Sequence, residues 1–429
     1  MAGLGAARTL AQAGQRVLLV EAQGRLGGRI LTERVGEEVF ELGAEFVHGR
    51  PAELLALVEE AGLTLVERDG INMTFEQGRL KEREEAAPAT DSEEQEDSGG
   101  EPDFFAPLEA LEDWTGLDQS FAEFIAAQDL PEEERQAVIS YVEGFNAADH
   151  REISAASLGF QQKAEEENEG NRAFHIAGGY DQLPQFLAAQ FELHGGSLRA
   201  DTRAQRIEWK PGRVEVATNQ GRFAARRAIV TLPLGVLQKG TVTFEPAPGE
   251  ILLHAAQLRM GDATRLSLHL RERFWEALPP QPALSGLSFL FTREQLPSVW
   301  WTSHPEPANG ITGWVGGPRS EQLRGLSAEE LGRRASAVLA EAFAVSEEYV
   351  KKILLGCYTH DWKADPNSFG AYSYVATGGL DASRRMTEPV AETLYFAGEH
   401  TDTTGHWGTV HAALRSGLRA ARQILEAVV

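Results

Sequence analysis

The first 21 residues, MAGLGAARTLAQAGQRVLLVE, carry the pattern that decides the fold. Small residues up to Gly14 predict a closely packed helix that ends there, because glycine can adopt a positive φ after the last turn. The apolar run that follows ends at Glu21, as a buried parallel strand would. Such a helix and strand form the second half of a Rossmann unit. Glu21 follows Gly3 at about the 20-residue spacing expected for the acid that binds ribose hydroxyls.

The first strand and first two glycines of a complete dinucleotide-binding motif do not occur in this sequence. If Gly3 is the third glycine of G-x-G-x-x-G, Met1 and Ala2 are the pair before it. We therefore expect that the natural chain starts upstream of Met1. Taken alone, residues 1–21 fit equally well a plain helix and strand that bind no nucleotide.

The composition excludes several classes of protein. The chain has 429 residues, 42% of them hydrophobic, which predicts two packed units and excludes a disordered chain. The net charge of −24 repels polyanions, so we expect neither nucleic acid nor a membrane surface as a partner. The single cysteine, Cys357, excludes an internal disulfide and a Cys-rich metal site. It favours a cytoplasmic location, with an upstream signal peptide as the alternative.

Further segments resemble a known family, the flavin-containing amine oxidases, which include polyamine, spermine and monoamine oxidases and the lysine-specific histone demethylases. They occur in the family's order along nearly the whole chain: EA at 21–22, RLGGR at 25–29, ELGAEFVHG at 41–49, GGY at 178–180, IVTLPLGVL at 229–237, FGAYSY at 369–374, LYFAGEHT at 394–401 and GTVH at 408–411. The resemblance implies an α/β fold in which a Rossmann-like FAD-binding domain of the glutathione-reductase type is interleaved with an α+β substrate domain.

The implied domains are discontinuous in sequence. The FAD-binding domain would comprise residues 1–75, 176–255 and 385–429. The substrate-binding domain would comprise residues 76–175 and 256–384. Within the latter, the stretch at about 82–103 is acidic and poor in apolar residues, which predicts a flexible insertion.

The resemblance also implies which residues bind FAD. Arg29 can pair with the diphosphate through its planar guanidinium, and Glu399 would hold the ribityl or diphosphate region. A helix predicted from Gly408 onwards would point its partial positive charge at the edge of the flavin that becomes negative on reduction. The full set of cofactor-binding candidates is Gly3, Glu21, Gly27, Gly28, Arg29, Gly43, Ala44, Glu45, Ala204, Thr231, Trp362, Gly398, Glu399, Gly408, Thr409 and Val410.

The predicted substrate site is an aromatic cage. An amine must lose its proton before it can be oxidised, and a dry aromatic pocket promotes this by disfavouring the cation. By resemblance, Tyr372 forms one wall, while the other wall falls at Thr409, which is not aromatic; Trp407 is a candidate to complete it. This half-open cage favours a long or bulky amine. His48 is a candidate to bind a distal amine or tune proton transfer, with a hydrogen bond to a backbone carbonyl as the alternative.

Two positions depart from the family pattern. The family lysine that holds a water at flavin N5 is replaced by Arg265, which we take as a catalytic candidate together with His48 and Tyr372. An arginine stays charged and can still hold a water, but the lysine-dependent proton and oxygen steps are left open. Ala371 stands where monoamine oxidases carry a flavin-linked cysteine, so noncovalent FAD is expected.

The predicted function is FAD-dependent oxidation of a small cationic amine. A hydride would pass to flavin N5, the imine would hydrolyse to an aldehyde, and O₂ would be reduced to H₂O₂. One alternative is an L-amino-acid oxidase, in which Arg265 would face the substrate carboxylate, or another flavin oxidoreductase of this fold such as a carotenoid-type desaturase. The other is a flavin-free binding protein or pseudoenzyme.

Overall fold

The computed structural model describes residues 1–83, 106–279 and 283–427. Apart from residues 82 and 83, the predicted acidic insertion therefore lies outside the described part of the chain. The described helices are α1 Ala2–Gln12, α2 Ala52–Glu60, α3 Ala106–Glu109, α4 Phe121–Ala126, α5 Glu132–Asn146, α6 Ala155–Glu167, α7 Gln182–Leu193, α8 Leu234–Lys239, α9 Gly249–Ala255, α10 Ala328–Ala342, α11 Glu347–Ile353, α12 Ala382–Arg385 and α13 Val410–Glu426. None of these helices is long and apolar enough to cross a bilayer.

The described strands are β1 Leu18–Val20, β2 Thr32–Val35, β3 Glu38–Glu41, β4 Val47–His48, β5 Leu65–Glu67, β6 Ile71–Glu76, β7 Arg79–Glu82, β8 Ala173–Ile176, β9 Ser197–Arg199, β10 Ala204–Lys210, β11 Arg213–Thr218, β12 Gly221–Ala225, β13 Ala228–Val230, β14 Thr243–Glu245, β15 Leu258–Met260, β16 Ala263–Leu270, β17 Leu287–Phe291, β18 Val299–Thr302, β19 Gly310–Gly316, β20 Leu354–Thr359, β21 Ser373–Val375 and β22 Leu394–Phe396. Single 3₁₀ segments cover Phe274–Ala277, Ala283–Gly286, Gly317–Leu323 and Glu399–Thr401.

Parallel strands and two closely packed helices form the part of the fold that the first residues predict. Strand β1 pairs in parallel with β9, and β13 pairs in parallel with β22. Helix α1 packs against α13 and α7. Glycines allow the close approach of α1 and α13, because a Cβ on Gly417 would lie 2.1 Å from the carbonyl oxygen of Ala2. The helix predicted up to Gly14 is confirmed, and Gly14 has a φ of +74°.

A seven-stranded sheet, in the order β20-β16-β19-β18-β17-β6-β7, forms the largest core with α10 and α11. Its central strands are antiparallel, whereas β17 and β6 pair in parallel. The strand β6 belongs to this sheet although the predicted domain boundary at residue 75 falls within it. The division of the chain into two domains stays a prediction.

Smaller sheets and helices join these two regions. The strands β12-β11-β10-β14 form a four-stranded sheet, β4-β8-β5 form a three-stranded one, and β2 pairs with β3. Strand β15 pairs antiparallel with β21, which brings residues 258–260 to residues 373–375. Helices α3 to α6 build a separate apolar core; α4 starts with a capping box in which Ser120 and Glu123 satisfy each other's backbone N–H groups. This core confirms the helices predicted between residues 104 and 175.

Candidate active site

Glu399 connects three segments at the centre of the candidate site. Strand β22 ends in a turn at Gly398, whose φ of +142° favours glycine, and places Glu399 in the interior with 3% of its surface exposed. Its carboxylate pairs with Arg29 at 2.7 Å, accepts a hydrogen bond from the Ser373 hydroxyl at 2.5 Å and accepts another from the Gly408 N–H at 3.0 Å. Burial raises the pKa of Glu399, but Arg29 and the other partners outweigh it and hold the pKa below its usual value.

The start of α13 lies directly beside Glu399 and Tyr372. Thr409 is the N-cap of this helix, and its hydroxyl accepts a hydrogen bond from the Ala412 N–H at 3.2 Å. Gly408 has a φ of +79°, and a Cβ there would lie 2.8 Å from the Tyr372 ring. The predicted helix is thus confirmed, and its first turn, from Val410, presents N–H groups and a partial positive charge beside the tyrosine.

The segment RLGGR at residues 25–29 lies next to Glu399, with which Arg29 pairs. Gly27 and Gly28 both have positive φ values, of +102° and +63°. Gly43 packs against the backbone of this segment, since a Cβ there would lie 2.0 Å from the carbonyl oxygen of Arg29. The Ala44 N–H donates to the same oxygen at 3.0 Å. These contacts fix the backbone from which the Arg29 guanidinium reaches Glu399.

The remaining cofactor candidates lie around the same segments. A Cβ on Gly3 would lie 3.1 Å from the Thr231 hydroxyl, so the structure brings these two candidates together. Glu21 follows β1 and accepts a hydrogen bond from the Gln23 N–H at 2.9 Å; burial raises its pKa. Trp362 donates its indole N–H to the carbonyl of residue 42 at 2.8 Å, and Ala204 begins β10. Their contacts with FAD stay predictions.

Arg265 is held in place by Glu45. It lies on β16 opposite Trp314 of β19, with 4% of its surface exposed. Its guanidinium forms an ion pair with Glu45, donates to the Gly43 carbonyl at 2.9 Å and lies 5.2 Å from the Trp301 ring centre. Burial opposes the charge on Glu45, but Arg265 holds the pKa of this carboxyl below its usual value. Glu45, a predicted FAD ligand, is thus engaged with Arg265.

A continuous group of rings extends from Tyr372, and we call it the aromatic set. Tyr372 and Trp314 stack with centroids 6.4 Å apart and planes at 9°, and Trp314 contacts Trp301 at 6.4 Å. The ring of Phe46 lies 5.2 Å from Trp301. We restrict the name to Phe46, His48, Phe145, Trp301, Trp314 and Tyr372, although further rings such as Phe289 contact this group. Burial raises the pKa of the Tyr372 phenol, which donates its hydrogen to the Phe145 carbonyl at 2.5 Å.

His48 lies within the aromatic set, in edge-on contact with Phe46 at 5.9 Å and Phe145 at 5.5 Å. Burial lowers the pKa of His48 to about 4, so the imidazole is neutral at pH 7. Its ring nitrogens have no hydrogen-bond partner within residues 1–83, 106–279 and 283–427; the alternative of a backbone carbonyl partner therefore finds no support in those ranges. A neutral imidazole can accept a hydrogen bond from an ammonium group.

Trp407 is directed elsewhere. Its indole N–H donates to the Ser383 hydroxyl and the Asp402 carbonyl, both at 3.0 Å, and its ring contacts Phe160 at 5.8 Å. The structure brings Trp314, rather than Trp407, into the stack on Tyr372. The sequence reasoning missed Trp314, although the alternating strand pattern of residues 311–315 and of the strand containing Arg265 carried the signal.

The structure also places the two positions relevant to flavin attachment. Cys357 lies on β20 opposite Leu268, and burial raises the pKa of its thiol to about 12, so it remains an unreactive thiol. Ala371 lies in a different cluster with Ala147 and Ala263. Noncovalent attachment of FAD stays a prediction.

The residues present fit a large anionic dinucleotide. Both ring nitrogens of His400, Nε2 of His411 and Nη2 of Arg25 are buried without a hydrogen-bond partner among the described residues. Unsatisfied buried polar atoms of this kind are rare unless a ligand or water completes them. They lie on the segments that hold Arg29, Glu399 and the start of α13, where a guanidinium fork and helix N–H groups suit phosphate oxygens.

Comparison with known proteins identifies the family of this chain. The model of the family "flavin containing amine oxidoreductase" matches residues 1–425. This chain belongs to that family. It is therefore an FAD-dependent amine oxidoreductase, and the predicted α/β fold, cofactor and class of enzyme are confirmed.

Relatives and solved structures match nearly the whole length of this chain. Polyamine oxidase 4 of Oryza sativa subsp. japonica is 26% identical, covering 98% of this chain and 86% of the relative. Human lysine-specific histone demethylase 2 is 27% identical, covering 99% of this chain and 52% of the relative. Putrescine oxidase bound to putrescine superposes with a TM-score of 0.81 at 19% identity, and cyclohexylamine oxidase from Brevibacterium oxydans with 0.81 at 21%; each covers at least 99% of this chain and 97% of that structure.

Proposed function

We propose that this flavin amine oxidase converts a primary or secondary amine, polyamine-like or otherwise, to an imine that water hydrolyses to an aldehyde. For a primary amine, the overall reaction consumes O₂ and water and yields the aldehyde, ammonia and hydrogen peroxide. When bound, FAD supplies the two-electron oxidation of the carbon beside nitrogen. The observation that carries this proposal is the stack of Tyr372 on Trp314 directly beside the N-terminus of α13 and the Arg29–Glu399 pair.

The aromatic set would bind the amine and exclude water from it. Aromatic faces attract the ammonium form on arrival, whereas exclusion of water favours the neutral form that can react. Tyr372 holds its orientation through the Phe145 carbonyl, and Trp314 does so by donating its indole N–H to the Gly144 carbonyl at 2.9 Å. The cage would therefore be rigid before substrate arrives.

Arg265 would act as a fixed positive charge rather than as a proton carrier. Glu45 and the Gly43 carbonyl fix the orientation of its guanidinium, a planar group with several N–H donors. It can hold a water or an anionic group by hydrogen bonds. Proton transfer from the amine would instead involve the neutral imidazole of His48, or water.

Names of similar proteins support an amine as the substrate. They include polyamine oxidases, a putrescine oxidase and a cyclohexylamine oxidase. The test is peroxide production and oxygen uptake by the flavin-loaded protein with putrescine, spermidine, spermine, cyclohexylamine and pentylamine. Stoichiometric aldehyde and peroxide with at least one amine are expected. Oxidation of a substrate without nitrogen, with none of the amines consumed, would contradict the proposal.

A further inference from the structure

Two buried arginines bracket one end of the aromatic set. Arg68 follows β5 with 9% of its surface exposed, and its guanidinium lies 5.3 Å from the ring centre of Phe46 and 5.4 Å from that of Phe289. Arg265 lies over Trp301 at 5.2 Å. Because the rings of Phe46 and Trp301 are themselves 5.2 Å apart, each cation lies over one ring of a contacting pair.

Arg68 has no carboxylate bonded to it in the described ranges, although the charges of Glu45 and Glu306 act on it through space. Glu45 pairs with Arg265, and no other carboxylate in the described ranges bonds to either guanidinium. Glu41, whose pKa burial raises to about 7, accepts its hydrogen bonds from other groups, and Glu306 pairs with His175 at 2.5 Å. A buried positive charge is therefore left without a bonded counter-charge, which is costly in a protein interior.

The same arginines carry unused hydrogen-bond donors. Nε and Nη1 of Arg68 and Nε of Arg265 are buried and have no acceptor among the described residues. The hydrogen bond recorded for Arg68 goes from Nη2 to the Thr302 carbonyl. Buried donors without acceptors mark a place that a ligand completes, and a carboxylate offers the planar pair of oxygens that a guanidinium binds best.

We propose that Arg68 and Arg265 form an anion subsite for a carboxylate carried by the amine substrate. The inference rests on the proposed amine oxidation and narrows its substrate class to amino acids, α or ω, rather than simple monoamines or diamines. One charge-assisted hydrogen bond from Arg68 is expected to tighten binding by about tenfold or more over the same amine without a carboxylate.

A series of amines of matched length tests the subsite in the unmodified protein. The flavin-loaded enzyme is mixed anaerobically with pentylamine, L-norleucine, δ-aminovalerate or cadaverine, each in a separate experiment. The rate of flavin bleaching is measured, and the half-saturation concentration is the substrate concentration that gives half the maximal rate. Norleucine carries its carboxylate on the reacting carbon, δ-aminovalerate at the far end, and cadaverine a second ammonium instead. A half-saturation concentration about tenfold lower for either amino acid than for pentylamine is expected. Equal values, or tightest binding of cadaverine, would overturn the proposal.

Variants at Arg68 test whether this residue is responsible. In Arg68→Met, the ratio of half-saturation concentrations between pentylamine and the preferred amino acid should fall to about one or two. Arg172→Met is the matched control, because Arg172 also lies over a ring, 5.2 Å from Phe174, but is paired with Glu67 and Glu169. The control should keep the wild-type ratio. A ratio that falls equally in both variants would show that the effect is structural and overturn the assignment to Arg68.

A binding measurement separates failure of the subsite from failure of amine oxidation. Valerate, a carboxylate without nitrogen, is titrated calorimetrically into the flavin-loaded wild-type, Arg68→Met and Arg172→Met proteins. Saturable binding that only Arg68→Met loses supports the subsite even if no amine bleaches the flavin, in which case the proposed oxidation alone fails. Absence of valerate binding to the wild-type protein, or binding unaffected in Arg68→Met, overturns the subsite whatever the outcome with amines.

Discussion

Arg265 and Glu45 depend on each other inside the protein. Each has little exposed side chain, 5% for Arg265 and 14% for Glu45, so removing either leaves the other charged without its partner. The pair also orients Trp301, whose indole N–H donates to Glu45 at 2.9 Å. We therefore treat Glu45 as the residue that positions Arg265 and one ring of the aromatic set.

Arg265→Met should destabilise the protein by about 3–5 kcal/mol, since an uncompensated buried carboxylate remains. The double variant with Glu45→Leu should recover a large part of that loss, which a double-mutant cycle measured by chemical denaturation would detect. Arg222→Met, which removes an exposed partner of Glu215, is the control and should change stability far less. Additive effects of the two buried substitutions would contradict the coupling.

Buried histidines make the stability of this protein depend on pH. Burial lowers the pKa of His400 to about 4, and 1% of its surface is exposed. The unfolded chain therefore binds a proton that the folded chain does not between about pH 4 and pH 6.5. Stability is complete above that window and falls as the pH decreases through it, because protonation favours the unfolded state.

His400→Gln should flatten the pH dependence of stability by up to about 1.4 kcal/mol per pH unit in that window, since one titrating group is removed. Urea denaturation at several pH values from 4.5 to 7 measures the slope. His254→Gln, at a partly exposed position on α9, is the matched control and should leave the slope unchanged. An identical slope in His400→Gln and wild type would show that His400 is not buried neutral.

At the scale of elements, we expect α13 to link stability to cofactor binding. Its first turn starts beside Glu399 and Tyr372, and Thr409 caps it. Helix α10, which packs on the seven-stranded sheet, offers a comparison. Its N-cap Ser327 accepts the same kind of hydrogen bond, from the Glu330 N–H at 3.2 Å.

Thr409→Ala and Ser327→Ala should each cost about 1 kcal/mol of stability through loss of a cap. Only Thr409→Ala should also weaken FAD binding, because fraying of the first turn of α13 removes N–H groups from the cofactor side. Denaturation curves and the flavin dissociation constant of both variants provide the test, with Thr409→Ser expected to behave as wild type. Equal weakening of FAD binding by both alanine variants would refute the role of α13.

The sequence predicts the individual helices and strands well, but it predicts few of the contacts between them. Periodicity and glycine positions predicted α1, α13 and the strand β22 with bounds close to those observed. The pairing of Arg265 with Glu45, 220 positions away, depends on how the seven-stranded sheet docks on the segment at 41–49. No local pattern encodes that docking, and for this reason Trp301 and Arg68 were not predicted as site residues; for Trp314 the alternating pattern of its strand was a usable signal.

At the scale of the whole molecule, two regions meet at one site. Arg29, Glu399 and the first turn of α13 come from the part with parallel strands, whereas Arg265 and Trp314 come from the seven-stranded sheet. The Arg265–Gly43 hydrogen bond joins the seven-stranded sheet to the segment at 41–49, where Gly43 packs against the backbone of Arg29. Because the site needs both, loss of packing in either region should release the flavin.

The central claim is that this chain holds FAD noncovalently and passes electrons to it from a carbon beside nitrogen. The most direct measurement is the absorbance spectrum of the purified protein, reconstituted with FAD if needed, before and after anaerobic addition of the amine and amino-acid panel. We predict a bound oxidised flavin that bleaches with at least one of these donors. Acid precipitation of the protein should release this flavin into solution as unmodified FAD. A protein that retains no flavin, or whose flavin stays oxidised with every donor, would contradict the account.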